Sequence, residues 1–145
     1  MNVLELTKEL VKRQSVTPDD AGCQSVLAKI LSDVGFAVEH LRIGGTDNFW
    51  AVLGKEGPLL CFLGHTDVVP TGPESDWKHP PFDCVEEEGL LYGRGTADMK
   101  GGVAAFVLAA TKFASDRKTF PGRLAILLTS DEEGPALDGT QAVIK

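Results

Sequence analysis

Leu59-Leu60-Cys61-Phe62-Leu63 runs directly into Gly64-His65-Thr66-Asp67, and Arg123-Leu124-Ala125-Ile126-Leu127-Leu128-Thr129-Ser130 runs directly into Asp131-Glu132-Glu133. Each is a short, continuous apolar run, the pattern of a strand buried on both faces. Each then stops at residues that carry acid–base or metal-ligating chemistry. Ligands of open α/β sheets bind outside the carboxyl ends of the strands. If the two strands are parallel neighbours, His65, Asp67, Glu132 and Glu133 meet at one edge of the sheet.

The segments around these strands complete an α/β pattern. Val3, Leu6 and Leu10 recur at helical spacing and predict a helix over 3–13. Thr17-Pro18-Asp19-Asp20 reads as the start of a second helix, with Thr17 as its cap. The apolar stripe Val26, Leu27, Ile30, Leu31 and Val34 continues that helix until Gly35. Residues 36–43 read as an edge strand, 44–47 as a turn, and 49–53 as a second short strand. Residues 64–97 form a segment rich in Gly, Pro, acids and aromatics, too long for a passive connection. Val103, Phe106, Val107, Ala110 and Phe113 mark a third helix, and residues 140–145 begin a fourth. The order predicts a layered α/β architecture, with helices on the faces of a central sheet.

Composition limits the functions available. The chain has 145 residues, enough to bury a core, with 43% hydrophobic and 24% charged residues. Lys and Arg total 14 against 21 acids, a formal charge of −7 with no basic cluster. This predicts no nucleic-acid partner and no anionic membrane surface. No apolar run approaches the roughly 20 residues of a membrane span. Glu5, Lys8 and Glu9 interrupt the N-terminal apolar pattern, which argues against a secretory leader. Cys23, Cys61 and Cys84 lack C-x-x-C spacing and sit among apolar or small neighbours. They read as buried free thiols of a cytoplasmic protein.

One histidine among several carboxylates is the ligand chemistry of zinc, or of manganese or cobalt in a similar site. Asp98, in Gly93-Arg94-Gly95-Thr96-Ala97-Asp98-Met99-Lys100-Gly101-Gly102, adds a carboxylate just before the third helix. Without counter-charge, Asp67, Asp98, Glu132 and Glu133 would repel one another, and two divalent cations would offset them. Taken singly, each segment also has a structural reading. His65-Thr66-Asp67 suits an Asx-type turn, Asp98 a helix cap, and Asp131-Glu132-Glu133 a solvated turn.

Three blocks of sequence carry a resemblance: residues 63–70 (LGHTDVVP), 91–101 (LYGRGTADMKG) and 129–134 (TSDEEG). They resemble the signature blocks of the dinuclear zinc aminoacylases and exopeptidases, and the resemblance spans essentially the whole chain. It implies a layered zinc-exopeptidase-like catalytic domain with a mostly parallel central sheet, and two Zn2+ per full-length subunit, with Co2+ or Mn2+ as substitutes. It implies His65 as a ligand of one zinc, Asp98 as the carboxylate bridging both, and Glu133 as a ligand of the second. It implies Glu132 as general base and Asp67 as the acid that orients His65. The implied reaction is amide hydrolysis. The best-matching members release succinate from N-succinyl-LL-2,6-diaminopimelate, and the nearest rivals deacetylate acetylornithine.

The family pattern also requires two downstream metal ligands and an inserted dimerisation and lid domain. Residues 1–145 are therefore expected to be the N-terminal part of the catalytic domain, incomplete at its C-terminus. They belong to a homodimeric enzyme or, standing alone, form an inactive metal-binding fragment. Among smaller candidates, Trp77 and Phe82 line a pocket or anchor a loop. Arg94 binds a substrate carboxylate or forms a structural ion pair. His40 and His79 lie at the surface.

Overall fold

The computed structural model describes residues 1–117 and 119–145. In chain order its elements are helices α1 (Val3–Val11) and α2 (Cys23–Ser32), and strands β1 (Ala37–Ile43), β2 (Thr46–Leu53) and β3 (Leu59–His65). The short hairpin strands β4 (Val85–Glu87) and β5 (Leu90–Tyr92) follow, then α3 (Gly101–Asp116), β6 (Arg123–Thr129) and α4 (Thr140–Val143). A single 3-10 turn, Glu74–Asp76, interrupts the long segment between β3 and β4.

The helices form where periodicity places them, with boundaries set by local capping. Asn2 caps α1: its side chain accepts the Glu5 N–H at 2.9 Å, while Glu5 returns an acceptor to the Asn2 N–H at 2.8 Å. Helix α2 starts at Cys23, later than Thr17-Pro18 predicts. The capping carboxylate belongs to Asp20, which accepts the Gln24 N–H at 2.9 Å. Thr17 instead lies beside β3's exit, where its N–H donates to the Val68 carbonyl at 3.0 Å.

The main sheet has the order β1-β2-β6-β3. The β1–β2 and β2–β6 ladders are antiparallel, and β3–β6 is parallel. Three of the four strands thus point the same way, but the sheet is mixed rather than mostly parallel in its ladders. The layered α/β architecture is as expected. Leu124, Ile126 and Leu128 of β6 face the three long helices and pack with Leu6, Leu10, Leu27, Leu31, Phe49, Val103 and Val107. Burying each such side chain contributes roughly 1.5–3 kcal/mol.

β3 departs from its sequence reading. It is an edge strand, at the opposite side of the sheet from β1, and Leu59, Leu60 and Leu63 are 42%, 61% and 52% exposed. Cys61 is exposed with them, whereas Cys23 and Cys84 are buried, and all three thiols are free. A continuous apolar run records that a strand is covered, but not by which part of the polypeptide. On the helix side Phe62 stacks on Phe106 at 5.4 Å, and an apolar cavity of about 470 Å3 opens between Leu60, Phe113 and Phe120. Among the described residues no helix is long and apolar enough to cross a membrane.

Candidate metal centre

Parallel pairing sets His65 opposite Thr129 in the β3–β6 ladder. The two chain segments that leave the sheet there therefore start side by side. His65 is 3% exposed, and its ring is fixed from behind. Nδ1 lies 2.9 Å from the Asp67 backbone carbonyl and 3.5 Å from the Asp67 carboxylate. A proton held on Nδ1 by that carbonyl makes Nε2 the outward-facing nitrogen, which would bind a metal on giving up its own proton. Nε2 lies 3.2 Å from Asp98 Oδ1 and 3.7 Å from Glu132 Oε2.

Asp67 organises the second segment as well. Its carboxylate is fully buried and accepts the backbone N–H of Glu133 at 3.0 Å and of Glu132 at 3.3 Å. One buried side chain thus positions the loops of three candidate residues. Burial pushes its pKa up, but the contact with His65 and the two backbone donors outweigh this and hold it below 3.8. The expectation that Asp67 orients His65 through its carboxylate is refined: the nearest atom on Nδ1 is the Asp67 carbonyl, and the carboxylate's shorter bonds go to the Glu132–Glu133 backbone.

Asp98 reaches the site from a Gly-rich loop. Gly95 there has φ +83°, and a Cβ at that position would sit 2.5 Å from a Val68 methyl. Asp98 does not cap α3, whose preceding residue is Lys100. Its side chain is 77% exposed and turns toward His65. Lys100 anchors the loop from the other side. Its ammonium is buried and donates to the Leu10 and Arg13 carbonyls at 2.9 and 2.7 Å, at the C-terminal end of α1. Burial lowers its pKa, and the negative end of the α1 dipole favours the cation there.

The donor set fits a divalent ion. One ligand atom each from His65, Glu132 and Glu133 lies within 4.8 Å of the others, and Asp98 joins through its contact with His65. A tetrahedral metal with bonds of about 2 Å holds its ligand atoms about 3.3 Å apart, so the exposed Glu132 and the half-buried Glu133 would swing inward to close on it. Electrostatics agree. Burial lowers the His65 pKa, yet bonds to Asp67 and Asp98 overcome it and raise it to about 9, so the carboxylates favour positive charge at this point. Burial and then repulsion from Asp98, Glu132 and Asp67 raise the Glu133 pKa, against the attraction of His65.

The structure therefore brings His65, Asp67, Asp98, Glu132 and Glu133 together, and Glu132 approaches His65 as closely as a ligand would. Sequence reasoning missed the supports. Asp20 accepts the Thr66 hydroxyl at 2.6 Å, and Ser15 donates to the Thr66 carbonyl at 2.7 Å, clamping the residue between His65 and Asp67. Asp131 is buried and accepts the backbone N–H groups of Leu137 and Asp138 at 3.0 and 3.2 Å, which folds the loop after Glu133. The visible signals were Asp20 within a helix-start pattern and Lys100 within the Gly-rich block, neither of which fixes a partner. Trp77 anchors its loop by donating to the Thr71 carbonyl at 3.0 Å. His40 is exposed against Phe49, and His79 pairs with Glu87 at 3.1 Å.

Relatives share this arrangement of sequence. The chain is 57% identical over 142 residues to the succinyl-diaminopimelate desuccinylase of Marinobacter nauticus, covering 98% of this chain and 38% of the relative. It is 58% identical to the proteins of the same name from Halorhodospira halophila, over 142 residues, and Stenotrophomonas maltophilia, over 143 residues, with 98% and 99% of this chain and 38% of each relative covered. It thus spans a little over a third of the length of these curated relatives. Among solved structures, human carnosine dipeptidase 1 superposes with a TM-score of 0.83 at 24% identity, over 98% of this chain and 34% of that one. An M20 family metallo-carboxypeptidase from Sulfolobus solfataricus superposes with a TM-score of 0.75 at 23% identity, over 88% and 30%. These two establish the shared fold. The sequence profile of peptidase family M20/M25/M40, whose members are metal-dependent, matches residues 61–145, more than half of the chain, and with the metal-competent cluster at the end of β3 and β6 it places the chain in that family.

Proposed function

We propose that residues 1–145 form the N-terminal part of the catalytic, metal-binding domain of a zinc-dependent amidohydrolase. The enzyme releases succinate from N-succinyl-LL-2,6-diaminopimelate in lysine and cell-wall precursor synthesis. The observation that carries this reading is identity of 57–58% to succinyl-diaminopimelate desuccinylases along nearly the whole chain. The rest of the catalytic domain and an inserted dimerisation and lid domain belong to segments outside 1–145. The complete protein is a cytoplasmic homodimer that carries two Zn2+ per subunit, with Co2+ or Mn2+ able to substitute.

In this reading His65, Asp98 and Glu133 would hold the metal ions. Zinc held there would supply Lewis acidity to the scissile carbonyl and lower the pKa of water. The chain's own residues do the rest. Glu132 accepts a proton from the attacking water as the C–O bond forms. It returns that proton to the amide nitrogen as the C–N bond breaks, leaving succinate and a free amine. Asp67 keeps His65 in the Nδ1–H tautomer and holds the Glu132–Glu133 backbone in place.

The test is a hybrid in which this chain replaces the matching segment of the M. nauticus relative, assayed on N-succinyl-LL-2,6-diaminopimelate and on acetylornithine. The reading requires a clear preference for the succinyl substrate. A preference for acetylornithine would assign the deacetylase reaction instead.

A further inference from the structure

Arg94 lines a cavity of about 350 Å3 whose walls include Asp98, Glu133, Val69 and Gly93. Two roles fit an arginine in this loop, a structural ion pair or a binding group for a substrate carboxylate. Within these residues the second has the support: among the described residues Arg94 forms no salt bridge. Its guanidinium is nonetheless held firmly. The Cζ atom lies 5.0 Å from the centre of the Trp77 ring, and Nη2 donates to the Pro70 carbonyl at 3.3 Å. The Arg94 backbone N–H donates to the Pro81 carbonyl at 2.7 Å. Trp77 is fixed in turn by its own bond to Thr71. Among the described residues Nε is buried with no acceptor, and Nη1 makes no hydrogen bond and is not among the buried atoms.

A guanidinium stacked on an aromatic ring, bonded at one nitrogen and lacking a carboxylate, is pre-organised to take one. Its surroundings make the charge conspicuous. The chain carries a net charge of −7, and the cavity's other ionisable walls are the carboxylates of Asp98 and Glu133. With a metal bound those two carboxylates would be taken up by it, which leaves the Arg94 guanidinium to meet a substrate anion at this wall. Lys100 in the same loop is turned away and spent on the end of α1.

We infer that Arg94 binds a carboxylate of the substrate that is not formed in the reaction, and so selects acylated amino acids carrying a free carboxylate within reach of the metal centre. This rests on the amidohydrolase reading above. Arg94 touches the substrate away from the reacting atoms, so its contact is the same in ground and transition states. It should set KM more than kcat.

The experiment uses the hybrid enzyme, zinc-loaded, with N-succinyl-LL-2,6-diaminopimelate and with analogues in which one carboxylate at a time is a primary amide. Arg94→Gln should raise KM for the parent substrate roughly 10- to 100-fold, the usual range for losing a charge-assisted contact, with kcat changed less than about threefold. The penalty should vanish for one monoamide analogue, which identifies the carboxylate that Arg94 holds. Arg94→Lys, which keeps the charge, should fall between and serves if the glutamine variant does not fold. An equal penalty on every analogue, or no penalty at all, overturns the inference while wild-type turnover leaves the reaction assignment standing. If the wild-type hybrid binds zinc but does not turn over the succinyl substrate, the reaction assignment falls. Calorimetric titration with the unhydrolysed N-succinyl-LL-2,6-diaminopimelate then decides the role of Arg94: weaker binding to Arg94→Gln supports it, and equal affinity overturns it.

Discussion

Replacing Asp67 by asparagine changes almost no volume and removes one acceptor at the point where both site loops are tied. The carboxylate accepts the Glu133 N–H at 3.0 Å through one oxygen and the Glu132 N–H at 3.3 Å through the other. An amide offers one oxygen, so one buried backbone donor faces an NH2 group and loses its partner. A hydrogen bond to a charged group contributes about 1.5–3 kcal/mol. Part of this loss appears as poorer placement of Glu133 and His65. Zinc affinity in the hybrid enzyme should therefore fall roughly 10- to 100-fold, as for other changes just behind a metal site. Competition against a chelating dye measures it, with Asp67→Ala as the stronger perturbation. The pH dependence gives a second readout. A carboxyl held below its ordinary 3.8 contributes stability that is present above that value and is lost as pH falls through the lower folded value. Metal-free Asp67→Asn should lack that contribution, so urea stability measured from neutral pH downward should fall less steeply than in the wild type. Zinc affinity within twofold of wild type, with an unchanged acid limb, would refute the positioning role.

Three further outcomes follow from the same geometry. Glu132→Ala in the hybrid should retain zinc, measured by metal analysis, while turnover falls by at least about 100-fold, the lower range for losing a general base. Unchanged turnover would remove Glu132 from that role. Lys100→Met should leave the Leu10 and Arg13 carbonyls without their buried donor. Relief from burying an ammonium offsets part of the cost, and a net loss of about 2 kcal/mol is expected in urea unfolding. Thiol labelling of the native chain should modify Cys61 alone, with Cys23 and Cys84 reacting only after unfolding.

The sequence reveals elements better than neighbours. Helices α1 and α3 and the buried strand β6 follow from apolar spacing, because each buries its pattern within these 145 residues. The cluster was legible because His65 and Glu132–Glu133 each end a strand, and ladder direction then decides whether they meet. Strand order was not legible. Nothing local in Thr46–Leu53 states that it pairs with both β1 and β6, and so the mixed sheet emerges only from long-range contacts. The exposure of β3 was misread for a related reason: Leu59–Leu63 has the composition of a covered strand, but these residues supply cover on only one edge and part of one face. Lys100 was invisible as a support because charge in a sequence reads as solvent exposure until a helix end is found beside it.

The open edge of β3 has a consequence in time. The relatives, of which 142 aligned residues are 38%, run to about 370 residues, so roughly 230 remain to be made after the matching segment. At a synthesis rate of about 5–20 residues per second, that interval is on the order of 10–50 s. Throughout it, a relative's nascent chain folded like this one would show the ribosome's surroundings a strand edge with three exposed leucines, preceded by Pro58. A chaperone that holds extended apolar segments would find a binding site there, and crowded polysomes making such a relative would find a point of entanglement.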